Sequence, residues 1–111
     1  MELSQVVTLQ QKIKFIKQKF EEYNMKKTWI ENISSLVKDD KKSNADKIKK
    51  YQNYIDLINS ILNTMSKDNS ALLRGIYIEK KDKKCFYMSE STFYFKHRHA
   101  VVEFIKYLSL C

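Results

Sequence analysis

The near-absence of the two residues that interrupt helices constrains this chain more than any other feature. Among 111 residues there is no proline and a single glycine, Gly75. β-Hairpins and tight turns depend on glycine, proline and asparagine–glycine pairs, and the sequence offers almost none of these. Apolar residues instead recur at spacings of three and four, which is the period of an amphipathic helix. These observations predict an all-α fold of about five or six helices.

The first part of the chain is predicted to form helices around one core. A chain of 111 residues can bury one modest core, so we predict a single domain over residues 1–111. Helical spacing runs from Leu3 to about Tyr23, where the polar run Asn24–Lys27 interrupts it. Thr28 then offers a cap for a second helix. The apolar stripe of the first helix packs into the core or, alternatively, forms half of a homodimer seam.

A polar loop and a third helix are predicted next. Residues 39–44, DDKKSN, carry no apolar anchor and predict the clearest loop in the chain. A third helix is expected from about Ala45 to Met65, and Ser70 is in position to cap the following one. Gly75 lies inside that following helix, at a cost of about 1 kcal/mol relative to alanine. A close helix crossing at Gly75 would explain the glycine.

The strongest helix signal lies at the end of the chain, between Phe86 and Leu110. Ser89 is predicted as the N-cap, because a serine hydroxyl accepts a hydrogen bond from a free backbone N–H of the first turn. Glu90 follows in that turn, where a negative charge suits the helix dipole. One apolar stripe predicts the inward face: Phe93, Ala100, Val101, Phe104 and Leu108.

The opposite side of this terminal helix carries hydroxyl, aromatic and basic side chains. Such a face is typical of the second helix of a helix-turn-helix, whose first turn reaches base edges while cations further along meet phosphates. The predicted base contacts are Glu90, Ser91, Thr92 and Phe95. The predicted phosphate contacts are Lys96, Arg98, His99 and Lys106. An ordinary amphipathic helix with a solvated outer side is the alternative.

The order of segments over about residues 51–110 also resembles a known DNA-binding arrangement. LLRGIYI is followed by a basic linker and by YMSESTFYFKHRHAVVEFIKYL, which resembles the helix-turn-helix in the fourth conserved region of sigma factors. It is closer still to phage transcription regulators of the ArpU/RinA type. In these families an apolar residue precedes a Ser or Thr cap, polar residues then reach DNA, and a basic stretch leads into an alanine–apolar pair. The matching positions are Met88, Ser89, Glu90–Thr92, Lys96–Arg98 and Ala100–Val101.

The resemblance implies DNA binding in transcription regulation. It implies that residues 70–110 form the helix-turn-helix and that residues 1–66 form its helical support. The sequence departs from the pattern at Phe95, where a basic or polar residue is expected. Residues 1–66 are too short for the second conserved region of a sigma factor and lack its aromatic-rich pattern. We therefore expect a stand-alone regulator, or an accessory factor that touches RNA polymerase, with double-stranded DNA as its main partner.

The charge of the chain agrees with a polyanionic partner. The net charge is +8, which favours association with nucleic acid. The charge is evenly spread, because residues 1–66 hold 12 basic and 8 acidic residues (+4) and residues 67–111 hold 9 and 5 (+4). A solvated lysine-rich surface would give the same totals. The prediction of DNA binding therefore depends on the cations beside the candidate reading face.

Aromatic residues are concentrated late in the chain. Eight of the 14 lie between Tyr77 and Tyr107. Rings beside cations sometimes stack on single-stranded bases, but core packing is the commoner role at helical spacing. Most of these rings are therefore expected in the core.

Cysteine usage and hydropathy indicate a reduced, cytoplasmic protein. Cys85 lies in an apolar group and is expected to be buried. Neither Cys85 nor Cys111 has a C-x-x-C partner. No apolar run approaches the ~20 residues of a membrane span, and the first residues lack a secretory signal pattern. We expect no association with a membrane.

The sequence contains no motif that is typical of a catalytic or metal-binding site. There is no glycine-rich phosphate loop. His97 and His99 are two residues apart and fall on different faces of a helix, so they do not suit one metal ion. Neither Ser89 nor Ser91 has an oriented base in the pattern. We therefore expect no enzyme activity, no cofactor and no metal.

A protein-interaction module is the alternative function from another class. The terminal helices would then act as a scaffold, and Tyr94 and Phe95 would dock a protein partner, with RNA polymerase among the candidates. Phosphate contacts make affinity fall steeply with salt, whereas apolar docking hardly changes. The salt response therefore separates the two functions.

Overall fold

The structure is a computed structural model that describes residues 8–36 and 41–110. These residues form four α-helices and no strand: α1 (Leu9–Leu36), α2 (Lys41–Thr64), α3 (Lys67–Leu73) and α4 (Glu90–Ser109). A π-helical turn, Arg74–Ile78, continues α3, and a 3-10 turn, Lys83–Phe86, precedes α4. The all-α prediction is confirmed, with four α-helices in these ranges instead of five or six. The predictions for residues 3–7, residues 39–40 and Cys111 lie outside the described residues.

α1 is one continuous helix where the sequence predicted two. The predicted break at Asn24–Lys27 and the cap at Thr28 are wrong. The Nδ2 of Asn24 donates a hydrogen bond to the backbone carbonyl of Tyr77 at 3.0 Å. Lys26 places its ammonium over tyrosine rings of α2. These polar side chains face other elements, so the apolar period breaks while the helix continues.

α2 begins at the third residue of the run 39–44, which the sequence predicted to be a loop. It lies antiparallel to α1, because the contacts between the two helices progress in opposite directions. Trp29 packs edge-on against Tyr51, with ring centroids 5.1 Å apart. Nearer the start of α1, the Tyr23 hydroxyl donates to Asn59 Oδ1 at 2.9 Å.

α3 begins after Ser66, so the prediction that Ser70 caps this helix is wrong. Ser70 is buried inside the helix, where its hydroxyl accepts a hydrogen bond from Arg74 Nε at 3.2 Å. Glu103 of α4 replaces a local cap, because its Oε1 accepts from the backbone N–H of Ser66 at 3.1 Å. A second Glu103 bond, from Asn69 Nδ2 at 2.9 Å, strengthens this junction. α3 and α4 are therefore tied together at the first turn of α3.

The hydrophobic core is shared by all four helices and centres on Phe20, which is 1% exposed. The Phe20 ring stacks on Tyr77, with centroids 5.3 Å apart and planes 7° apart. The Phe20 ring also contacts Phe104 of α4, with ring centroids 5.2 Å apart. α4 packs against α1, α2 and α3.

Candidate nucleic-acid interface

The inward face of α4 determines which of its side chains reach solvent. The predicted inward stripe is buried except at its last residue, which is half-buried: Phe93, Ala100, Val101, Phe104 and Leu108. His97 and Ile105 are also buried, which the sequence did not predict. The exposed side chains opposite this stripe form the outer face of α4: Ser91, Thr92, Phe95, Arg98, His99, Val102 and Lys106.

Ser89 caps α4 and orders the hydroxyl groups of its first turn. Its backbone is extended, and its Oγ accepts a hydrogen bond from the Thr92 N–H at 3.3 Å. The same hydroxyl donates to Thr92 Oγ1 at 2.8 Å and lies 3.4 Å from Ser91 Oγ. The three hydroxyls form one exposed cluster that can offer both donors and acceptors to a ligand.

Lys83 of the 3-10 turn contacts the first turns of α4, a link that the sequence did not indicate. Its Nζ donates to Tyr94 Oη at 3.0 Å and lies 4.5 Å from the centre of the Tyr94 ring. The hydrogen bond to Tyr94 is the main cause of the raised pKa of Lys83. Glu90 Oε1 lies 3.8 Å from the same Nζ. The predicted base contact Glu90 is therefore exposed beside a cation.

Phe95 and His99 form an exposed aromatic pair one helical turn apart. Their ring centroids are 4.5 Å apart, with an interplanar angle of 56°. Phe95 is 64% exposed, and Val102, two turns after Phe95, is 45% exposed. Grouped apolar side chains on a surface mark interaction sites more often than scattered ones do. The outer face of α4 therefore has the character of a contact surface.

The predicted phosphate ligands flank this aromatic pair instead of forming one cluster. Arg98 is exposed on one side of the outer face. Lys96 lies toward the other side, beside a groove that α3 and α4 share. Lys106 lies about 16 Å beyond Phe95 along the helix axis, at ~1.5 Å per residue. The cations are therefore distributed along and across the exposed part of α4.

His97 is buried, so it is not part of the exposed basic stretch Lys96–Arg98 in which the sequence placed it. Its Nε2 lies 2.8 Å from Tyr77 Oη, and 8% of the residue is exposed. Burial, assisted by the nearby charge of Lys83, lowers the pKa of His97. Burial also raises the pKa of Tyr77 to about 12. A neutral His97 whose Nε2 accepts a hydrogen bond from the Tyr77 hydroxyl satisfies both groups and ties the π-helical turn to α4.

The linker before α4 holds one aromatic ring in solvent. A Cβ on Gly75 would lie 2.8 Å from Phe86 Cε1, so the close approach at Gly75 is to this ring and not to a crossing helix. Phe86 in turn packs on Phe93, with centroids 5.6 Å apart.

Tyr87 follows in a left-handed conformation with φ 51° and is 93% exposed. Tyrosine rarely adopts this conformation, so the sequence did not predict a left-handed residue at position 87.

The prediction that Cys85 is buried is wrong. Cys85 lies in the 3-10 turn and is exposed. The next residue, Phe86, is the one that the turn directs against the core. The apolar run at this point therefore anchors the linker through its phenylalanine.

No protein-family model, no curated protein and no solved structure matches the chain. Within the described residues, no group of three or more His, Cys, Asp or Glu side chains could hold a metal ion. In the same ranges, no helix combines the length and apolar character that crossing a membrane requires. The function is therefore inferred from the geometry of α4 and its surroundings.

Proposed function

We propose that the chain binds double-stranded DNA through the outer face of α4, as a regulator of transcription. The observation that supports this proposal is the joint placement of hydroxyls, an exposed aromatic pair and flanking cations on one side of α4. All eight side chains that the sequence nominated for DNA contact are exposed. The opposite side of α4 is fixed in the core, so the surface is presented by a rigid element.

The first turns of α4 supply groups suited to base edges in the major groove. The hydroxyls of Ser91 and Thr92 can donate to or accept from several bases. Glu90 can accept a hydrogen bond from a cytosine amino group, and Phe95 can lie against a thymine methyl. The groove is about 12 Å wide and admits one α-helix.

The cations are placed to meet the phosphates on either side of such a groove. Lys96 and Arg98 flank the outer face on opposite sides, so each can meet a different backbone strand. His99 and Lys106 extend the contacts along the helix. Phosphate contacts of this kind fix the register of a helix on DNA without reading its sequence.

The connection from α3 to α4 is longer than that of a simple helix-turn-helix. Such motifs join their helices by a turn of about three or four residues, whereas residues 79–89 separate the π-helical turn from α4. We therefore propose a variant in which the 3-10 turn Lys83–Phe86 belongs to the connection. α1 and α2 would serve as the support, in keeping with the resemblance to sigma-factor and ArpU/RinA-type regulators.

Base readout is tested by comparing specific with non-specific binding. Selection from random duplex DNA first defines a preferred site. We expect Glu90→Ala and Ser91→Ala to weaken binding to that site by about 1–3 kcal/mol, because each removes a base contact. Binding to random duplex should stay unchanged, and stability should change by less than about 0.5 kcal/mol. Asn53→Ala, which alters an exposed polar residue of α2, is the matched control and should change neither quantity.

The outcome that removes sequence-specific readout is equal affinity of the unaltered protein for selected and random duplex. A selective loss confined to Glu90→Ala or Ser91→Ala would locate the readout in the first turn of α4.

Protein docking is the second candidate function, and the exposed apolar side chains favour it. Tyr94, Phe95 and Val102 are 54%, 64% and 45% exposed. These residues could dock a protein partner such as RNA polymerase, with Lys96 and Arg98 contributing charge. If no duplex binds even at low salt, this function replaces DNA binding.

A further inference from the structure

The aromatic side chains around the start of α4 are exposed to an extent that duplex binding alone does not require. Tyr87 is 93% exposed and Phe95 is 64% exposed. A thymine methyl could engage one edge of Phe95, but it would leave most of that ring and all of Tyr87 in water. Free ring faces are suited to stacking, and a continuous duplex hides the faces of its bases between neighbouring pairs.

The neighbouring rings show why Tyr87 and Phe95 are the two candidates. Tyr94 has its hydroxyl and one part of its ring engaged by Lys83, whose Nζ lies 4.5 Å from the ring centre. Phe93 is buried. No ring of the described residues packs against Tyr87, and Phe95 contacts His99 at a tilt of 56° that leaves much of its surface free.

Charge selects the class of ligand. Residues 79–99 hold six cations and three acids, a net charge of +3 over 21 residues. One of the three acids, Glu79, is paired with Lys81 at 2.9 Å. Lys84 precedes Tyr87 in the chain, and Arg98 follows Phe95. Alternation of rings with cations is how proteins bind single-stranded nucleic acid, because the cations follow the backbone while bases stack on the rings.

Both rings lie near the start of α4. Phe95 lies six residues beyond Ser89, which is about 9 Å along α4. Tyr87 is two residues before Ser89, at the same end of the helix.

We propose that Tyr87 and Phe95 stack on unpaired bases, so that this surface binds DNA containing a melted segment more tightly than continuous duplex. The inference rests on the proposed DNA-binding function and names the form of DNA that the site prefers. The cations of the outer face would hold the flanking duplex, and the two rings would hold the open bases.

The test measures affinity for three labelled DNAs of equal length: a continuous duplex, the same duplex with a central mismatched bubble, and one strand alone. We expect the bubble to bind at least about thirtyfold more tightly than the duplex, because one base stacks on each of the two rings. Phe95→Ala and Tyr87→Asn should reduce that preference, and asparagine suits the left-handed backbone at residue 87. Tyr87→Phe keeps the ring and should keep the preference. Met25→Ala removes an exposed apolar side chain of α1, outside the proposed surface, and is the matched control.

The outcomes separate this inference from the proposed function. Salt-dependent duplex binding with no preference for the bubble, or a preference that both ring variants retain, overturns stacking and leaves duplex binding standing. Binding to bubble and single strand but not to duplex supports stacking and overturns the duplex function. Absence of binding to all three DNAs overturns both.

Discussion

Two regions of the molecule combine aromatic rings with cations, and the cations have different contacts in each. The first is the α1–α2 cluster, made of Lys26, Trp29, Lys47, Tyr51 and Tyr54. Its rings are half-buried, and its ammonium groups lie over them at 4.5–5.4 Å from the ring centres. The Tyr54 hydroxyl also donates to the Lys19 carbonyl at 2.8 Å. These rings and cations satisfy one another.

The second region is the start of α4 with its outer face. Here Tyr87 and Phe95 are mostly exposed, and Arg98 is also exposed. The two regions contain the same types of residue, so composition does not distinguish them. What distinguishes them is whether the ring faces already have intramolecular partners. The α1–α2 cluster therefore stabilises the fold, and the outer face of α4 is the surface for which we propose DNA binding.

The largest expected effect contrasts two phenylalanines of the same helix. Phe104 is fully buried against Phe20, so Phe104→Ala should lower the free energy of unfolding by about 3–5 kcal/mol. Phe95→Ala should change it by less than about 0.5 kcal/mol, because Phe95 is on the surface. Denaturant unfolding measures both. Equal losses for the two variants would show that the inward and outer faces of α4 are wrongly assigned.

A smaller effect is expected in the α1–α2 cluster. Trp29→Ala removes an edge-on ring pair, worth about 0.5–1.5 kcal/mol, and a cation–π contact, worth about 0.5–1 kcal/mol. Stability should fall by at least about 1–2.5 kcal/mol on these figures, with unchanged affinity for DNA. Tyr87→Asn is the counterpart and should leave stability nearly unaltered. The contrast between the regions fails if Trp29→Ala weakens DNA binding while stability stays constant.

The smallest effect on stability is expected from the proton of His97. Burial lowers its pKa in the folded protein, so the unfolded chain binds the proton first as pH falls. Stability should therefore decrease as pH drops below the ordinary histidine value of ~6.5 and level off below the folded pKa. His97→Gln should flatten this dependence below about pH 6.5. His99→Gln, on the outer face, is the control, and an equal flattening there would contradict the assignment to His97.

The sequence predicted those features of the fold that depend on local spacing. The near-absence of glycine and proline predicted helices, and the apolar period identified Phe93, Ala100, Val101 and Phe104 as buried. Ser89 was recognisable because N-capping involves only the first turn. Each of these inferences depends on residues within a few positions of one another in the chain.

The errors occurred where a polar residue has its partner in another element. Asn24 interrupts the apolar period because it donates to the Tyr77 carbonyl, not because α1 ends. Ser70 does not cap α3, because α3 begins after Ser66, whose backbone N–H donates to Glu103 of α4. His97 is buried because Tyr77 meets its Nε2. Such pairings join residues that no short-range pattern connects, so periodicity alone could not reveal them.

The candidate site was predicted in part for the same reason. The exposed residues of α4 follow from its inward stripe, so the outer face could be predicted once that stripe was identified. The positions of Lys83 and Tyr87 could not be predicted, because they depend on how Phe86 packs over Gly75. The composition of residues 79–87 indicates a basic linker but does not indicate which of its side chains the fold leaves in solvent.

The most direct test of the central claim is a salt titration of duplex binding by the unaltered protein and by Arg98→Ala. If the outer face of α4 meets phosphates, affinity falls steeply as salt rises, and Arg98→Ala reduces the slope of log K against log salt by about one. Lys14→Ala removes an exposed cation of α1 and should leave the slope unchanged. No duplex binding at low salt, or an identical slope and affinity for Arg98→Ala, would contradict DNA binding by this face.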